Sequence, residues 1–278
     1  MHPVINKVRE SLFDAIDSDK LVLPTLPEVA LRVREVAEDP EADISTLSQV
    51  IGNDAALTAR IIKVANSPLL RASREIEDLK MALMRLGMEY TCNLATGLAM
   101  EQMFQATSDI VDKRLRDTWE SSSEIAGICH VLCRSQRHLR PDQATLAGLV
   151  HRIGVLPILT FAESHPNLLT NSMVLDQVID ALHPELGDKI LAKWDFPQDL
   201  AKVPSEHMDF GRAPPQADYA DVVTVAMLQN YAGSDHPMGK IDLTEVLAFE
   251  RMGIAPNFDE EDEDLNAEME AAMLLLQG

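Results

Sequence analysis

Side chains able to do chemistry are few, and most lie in the second half of the chain. There are eight histidines and three cysteines in 278 residues. Cys129 and Cys133 are four apart, so a helix sets both on one face, with His130 about 100° around from Cys129. Zinc would need more ligands than this face offers, so all three thiols, Cys92 included, read as buried apolar groups. An odd, sparse cysteine count also argues against a disulfide framework. His151 and Arg152 adjoin at the end of the apolar run 144–150. An imidazole there is either a hydrogen-bonded core group or a ligand for a cation. The guanidinium beside it is a good receptor for phosphate-like anions. Arg134, Arg137, His138 and Arg140 form a local basic cluster, which is either a solvated helix end or an extension of such an anion site. His183 precedes Pro184 and reads as a capping or loop residue. His207 faces either a pocket or solvent. His2, His165 and His236 read as surface or loop residues.

These groups sit in a strongly acidic chain of net charge -21. That charge repels phosphate backbones and anionic lipid, which excludes nucleic acid and membrane surfaces as general partners. Part of the excess is the run Asp-Glu-Glu-Asp-Glu-Asp at 259–264, read as a solvated tail or linker. No apolar signal core opens the chain, and no stretch approaches the length of a membrane span, so a cytoplasmic protein is expected. Aromatics are only 4% while Leu, Ala, Met and Glu are plentiful, a helix-forming composition.

The elements that must position the candidates are therefore helices. Apolar periodicity predicts them over 5–17, 26–38, 45–52, 55–65, 78–86 and 88–104. The stripe Val29, Val33, Val36 marks the second, with Thr25 and Glu28 as a capping box and Asp39-Pro40 as its stop. Asn53 or Asp54 caps the fourth, whose inner face carries Leu57, Ile61 and Val64. Gly87 sits where a helix ends in a left-handed residue. Further helices are expected at 117–135, 141–153, 155–163, 172–182, 184–194, 197–207, 216–231 and 242–252, with a loop at 211–215 and a short helix at 265–276. The result is an all-α, multi-helix bundle. An N-terminal helical subdomain spans 1–105, a second helical subdomain 106–255, and an acidic tail 256–278.

The order of short motifs resembles the HDOD domain, a helical relative of HD-type phosphohydrolases found in bacterial signal transduction. The likeness is carried by Leu23-Pro24-Thr25-Leu26-Pro27, Asp54-Ala55-Ala56-Leu57, Ala65-Asn66-Ser67 and Gly87. It continues through Trp119-Glu120-Ser121-Ser122, Gly148-Leu149-Val150-His151-Arg152-Ile153-Gly154, Glu185-Leu186-Gly187, Trp194 and His207. The resemblance implies an HD-like core preceded by a packed helical subdomain, and a regulatory rather than catalytic role with no cofactor. Its partner would be another signalling protein, a second copy of the chain, or a small anionic ligand.

HD enzymes grip metal with a His, a His-Asp pair and a late Asp. The resemblance places Ser121 at the first position, His151 and Arg152 at the pair, and the late Asp near Ala226-Met227. It also puts His183 and His207 beside the vestigial pocket. Only His151 keeps a metal-binding side chain. Two unit charges 4 Å apart at an effective dielectric of 20 interact by about 4 kcal/mol, and a divalent cation roughly doubles the repulsion from a guanidinium. One imidazole does not offset that. Two rival functions remain. A rescued phosphohydrolase would use Glu120, Glu124, Asp142 or Glu185 with His151 and His207. A helix-turn-helix DNA binder would use 47–63, offering Arg60 and Lys63. Met81, Met84, Met88, Met100 and Met103 outline an adaptable apolar face or ordinary core.

Overall fold

The computed structural model describes residues 3–70, 75–256 and 263–276. Among these the regular elements are all helical, as the composition requires. In chain order they are α1 (Pro3–Asp17), α2 (Glu28–Glu38), α3 (Ile44–Gly52), α4 (Ala55–Ala65), α5 (Leu79–Leu86), α6 (Met88–Ala99), α7 (Asp109–Cys133), α8 (Pro141–Val150), α9 (Val155–Glu163), α10 (Pro166–Leu169), α11 (Ser172–Lys193), α12 (Gln198–Ala201), α13 (Val203–Glu206), α14 (Tyr219–Tyr231), α15 (Leu247–Met252) and α16 (Glu263–Leu275). One cluster of buried apolar side chains runs from Ile5 to Leu276.

Short acidic side chains start the N-terminal helices. Asp43, Asp54 and Asp78 accept from the backbone N–H of Thr46, Leu57 and Met81 at 2.8, 2.9 and 2.8 Å. The capping box at Thr25 does not form, because Pro27 occupies the cap position and α2 begins at Glu28. Gly87 has φ +82 with ψ 164, so it reverses direction between α5 and α6 rather than closing a left-handed cap. The family motifs acquire jobs. Asn66 accepts from the Ile76 N–H and donates to the Ile76 carbonyl, both at 2.8 Å, pinning the segment after α4. Ser67 is buried beside it. The Pro24 carbonyl accepts from Trp194 Nε1 at 3.0 Å, and Arg34 donates to the Trp194 and Asp195 carbonyls. The N-terminal helices are thereby tied to the end of α11.

Several boundaries differ from expectation for local reasons. α7 starts at Asp109 rather than 117, and the last turn expected on α6 is a 3-10 turn at Met100–Met103. α11 runs unbroken through Pro184. The backbone bond that proline cannot donate is offset by burial of Leu182 and Leu186 on either side of it. The span 197–207 instead splits into α12 and α13, with Pro204 near the start of the second. The stretch Pro141–Glu163 is long and apolar enough to cross a membrane, contrary to expectation, yet it is two helices folded almost wholly inside the protein.

α16 returns to pack on α7, burying Ala272 and Leu276. A Cβ on Gly127 would lie 2.2 Å from the Ala272 carbonyl, so the two backbones touch there. Most of the acidic run, 259–262, lies outside the described residues, as does His2. The three cysteines are buried. Of the methionines, Met81 and Met84 are exposed on α5, whereas Met100 is core. Arg60, the donor a DNA-reading α4 would need, is engaged by Glu101 and the Leu276 carbonyl.

Candidate functional site

α8 is apolar on all sides and therefore central, and His151 caps its end with no exposed surface. Gly148 lets α8 lie on α7, since a Cβ there would sit 2.5 Å from the Ala126 backbone. Gly154 does the same toward α11, where a Cβ would fall 2.0 Å from the His183 carbonyl. Its φ of -66 is ordinary, so close approach and not backbone conformation requires glycine. Gly187 in turn seats Pro204 of α13. These contacts draw three histidines from distant segments into one cluster. The His151 and His207 rings meet edge to face with centroids 5.1 Å apart, and His183 lies 5.9 Å from His207.

His183 and His207 are thus interior groups. The capping or loop role expected for His183 fails because Pro184 does not break α11. His151 Nδ1 lies 2.6 Å from the Gly148 carbonyl and His207 Nδ1 2.8 Å from the Val203 carbonyl. A carbonyl only accepts, so in both rings Nδ1 carries the proton and Nε2 presents a lone pair. Burial pushes His207 down to about 4, and burial together with neighbouring charges holds His151 and His183 well below the usual imidazole range. All three are neutral at pH 7. His151 Nε2, His183 Nδ1 and Arg152 Nε are buried with no hydrogen-bond partner.

Arg152 lies half-buried at the edge of this cluster, and its charge bears on all three imidazoles. It also acts on Asp180, which sequence reasoning missed, and on His236. His236 stacks on Tyr231 with ring centroids 3.9 Å apart, and the Tyr231 hydroxyl lies 3.1 Å from Ser121 Oγ. Ser121 is therefore held by Tyr231 on the outer rim. No periodic signal marks Tyr231 or His236; only the tertiary stack reveals them. His165 and His236 are exposed, as expected, with His165 stacked on Phe161.

Most of the other candidates are engaged elsewhere, and Glu120 lines a separate cleft on α7. Ala226 and Met227 of α14 are buried apolar groups. The buried carboxylate on that helix is Asp221, clasped by Arg212 at 2.8 Å and by Arg251 Nε and Nη2 at 2.8 and 2.7 Å. Arg134 pairs with Glu268, Arg140 with Glu89 and Asp142, and His138 Nε2 lies 2.7 Å from the Ala217 carbonyl, so these bonds occupy three of the four side chains of the basic cluster, Arg137 being the fourth. Glu185 pairs with Arg9, and Glu124 accepts from Asn230. Among the described residues no group of three or more His, Cys, Asp or Glu is arranged to hold a metal ion. A cleft of about 770 Å³ between α1 and α9 is lined by Phe161 and His165 and includes none of His151, His183 and His207.

The HDOD domain model matches residues 23–210, two thirds of the chain. This chain belongs to the HDOD family. The HDOD chain is similar to a candidate metal-dependent phosphohydrolase of Shewanella amazonensis, at 29% identity and a TM-score of 0.86 over 98% of this chain and 99% of that one. It shares its fold with a candidate signal transduction protein of Marinobacter aquaeolei at 20% identity and a TM-score of 0.66, covering 98% of this chain and 65% of that one. An uncharacterized protein of Treponema pallidum is 23% identical over 241 residues, covering 81% of the HDOD chain. The chain spans 44% of that relative's length.

Proposed function

We propose that this HDOD chain is a regulatory module that works by binding and does not hydrolyse phosphoesters. The observation that carries the reading is Arg152, a guanidinium with an unpartnered Nε, standing next to His151 where an HD enzyme supplies a carboxylate. The three imidazoles supply lone pairs but no negative charge, and Arg152 opposes a cation beside them. The residues present do not fit a phosphohydrolase metal pair. An oxyanion bearing a hydroxyl, such as monohydrogen phosphate, fits better: it accepts from Arg152 and donates to an imidazole Nε2. Binding there would bias contacts with another signalling protein or with a second copy of the chain.

The test has two arms. Purified protein is analysed for bound metal and assayed on phosphodiesters and nucleotides, and phosphate is titrated by calorimetry into the native protein and Arg152→Ala. The proposal expects no stoichiometric metal, no turnover, and heat of phosphate binding that Arg152→Ala removes. An absence of heat with native protein removes the anion from the reading. The Shewanella relative keeps a phosphohydrolase as the second reading. Stoichiometric Mn, Fe or Zn with turnover abolished by His151→Ala would put it first.

A further inference from the structure

A second site lies apart from the histidines, on the outer side of α7. Trp119 and Phe104 line a cleft of about 600 Å³, with Ser123 deeper on the same face of α7 and Glu101, Gln105 and Glu120 around it. Trp119 is 5% exposed and Ser123 fully buried. Neither Trp119 Nε1 nor Ser123 Oγ has a partner. An indole N–H can only donate, so what it lacks is an acceptor, and burying such a donor unpaired costs about 1–3 kcal/mol. We propose that this cleft binds an uncharged planar heteroaromatic ligand, a nucleoside, whose ring carbonyl or nitrogen accepts from Trp119 and Ser123.

Each wall contributes to that choice. The Phe104 and Trp119 rings pack on each other 5.2 Å apart, inclined by 42°, and are nearly buried, so a base would meet the edge of this pair at the cleft floor. Stacking of a base on an aromatic side chain is tolerant of base identity. Glu101 and Glu120 accept from exocyclic amino groups. A smaller hollow of about 170 Å³ adjoins the cleft, shares Glu101 and Gln105, and adds Asp54 and Gln102, a lining suited to sugar hydroxyls. Charge excludes the nucleotide. Arg116 is held by Asp112 and Arg60 by Glu101, so both guanidiniums near the cleft are neutralised and the remaining carboxylates repel a phosphate. A volume of this size is ordinary for a small-molecule site.

Trp119 is one of two tryptophans, and the other, Trp194, is buried against Pro24. Intrinsic fluorescence therefore reports the cleft through Trp119, over the emission of Trp194. Adenosine, guanosine, cytidine and uridine are titrated into the full chain, followed by calorimetry, alongside their 5′-monophosphates. At least one nucleoside should saturate at or below ~1 mM, with its monophosphate about tenfold weaker. Trp119→Phe keeps an aromatic ring and removes the donor, and should weaken binding by about tenfold; Ser123→Ala tests the second donor with less change of volume. The site is refuted if no nucleoside saturates, if monophosphates bind as well, or if both variants, shown folded by circular dichroism, bind like the native protein.

Discussion

Acidification should unfold this protein through its buried imidazoles, well before its carboxylates protonate. His130, His151, His183 and His207 are all buried, and burial is the first cause of each depressed value. A histidine whose folded value is depressed stabilises the fold above the unfolded value of 6.5, and that contribution is lost as pH falls toward the folded value. For His130 and His207, both at about 4, the loss between about pH 7.5 and pH 5.5 is ~1.4 kcal/mol each. Burial depresses His151 and His183 in the same direction, so they add to this loss. His130 and His207 alone therefore cost about 2.8 kcal/mol, a large share of the stability of many domains. Asp180 and Glu206 are pushed upward and so work in the opposite sense, but both are open to solvent. Urea unfolding followed by circular dichroism across this range should show a slope of at least about two protons at its acid end, from His130 and His207, with His151 and His183 adding in the same sense. His207→Asn keeps a donor for the Val203 carbonyl and removes one titrating group, so its slope should fall by one proton. Stability that changed by less than ~1 kcal/mol, or a slope untouched by His207→Asn, would refute the reasoning.

Three further outcomes follow from packing and pairing. Gly154→Ala drives a Cβ into the His183 carbonyl and should cost about 3 kcal/mol, read as a lowered urea midpoint with an unchanged m value. Asp221→Ala leaves Arg212 and Arg251 without their shared buried carboxylate and should cost about 4 kcal/mol, partly recovered when Arg251 also becomes Met. Asp54→Ala removes the cap on α4 and should cost only about 1 kcal/mol, visible as a small shift in thermal midpoint.

Much of the fold was legible locally. The stripe Val29, Val33, Val36 and the cap at Asp54 each state a helix in a few residues, and α2 and α4 lie within two residues of where those signals put them. Pro184 was misread because the local rule against proline in helices ignores burial, and His183 was misplaced with it. The histidine cluster was legible only as a set of family positions. Nothing in the spacing of 151, 183 and 207 states that glycines at 154 and 187 bring them together. Tyr231 with His236, and Asp221 with Arg212 and Arg251, were not legible, because each pairing is made by tertiary approach.

The glycine seam has a mechanical corollary. Interfaces lined by side chains absorb a displacement of a fraction of an ångström by changing rotamers. At Gly154 and Gly187, backbone meets backbone or a rigid proline ring, so there is no compliant layer to absorb a push. The strip from Val150 to His207 should therefore shift as one stiff lever. Its give lies past Tyr231, where the positive φ of Gly233 opens a loop of short 3-10 turns. Deflection at the histidines is then delivered to that loop nearly undamped, and hydrogen exchange there, rather than in α8 or α11, is where it would be felt first.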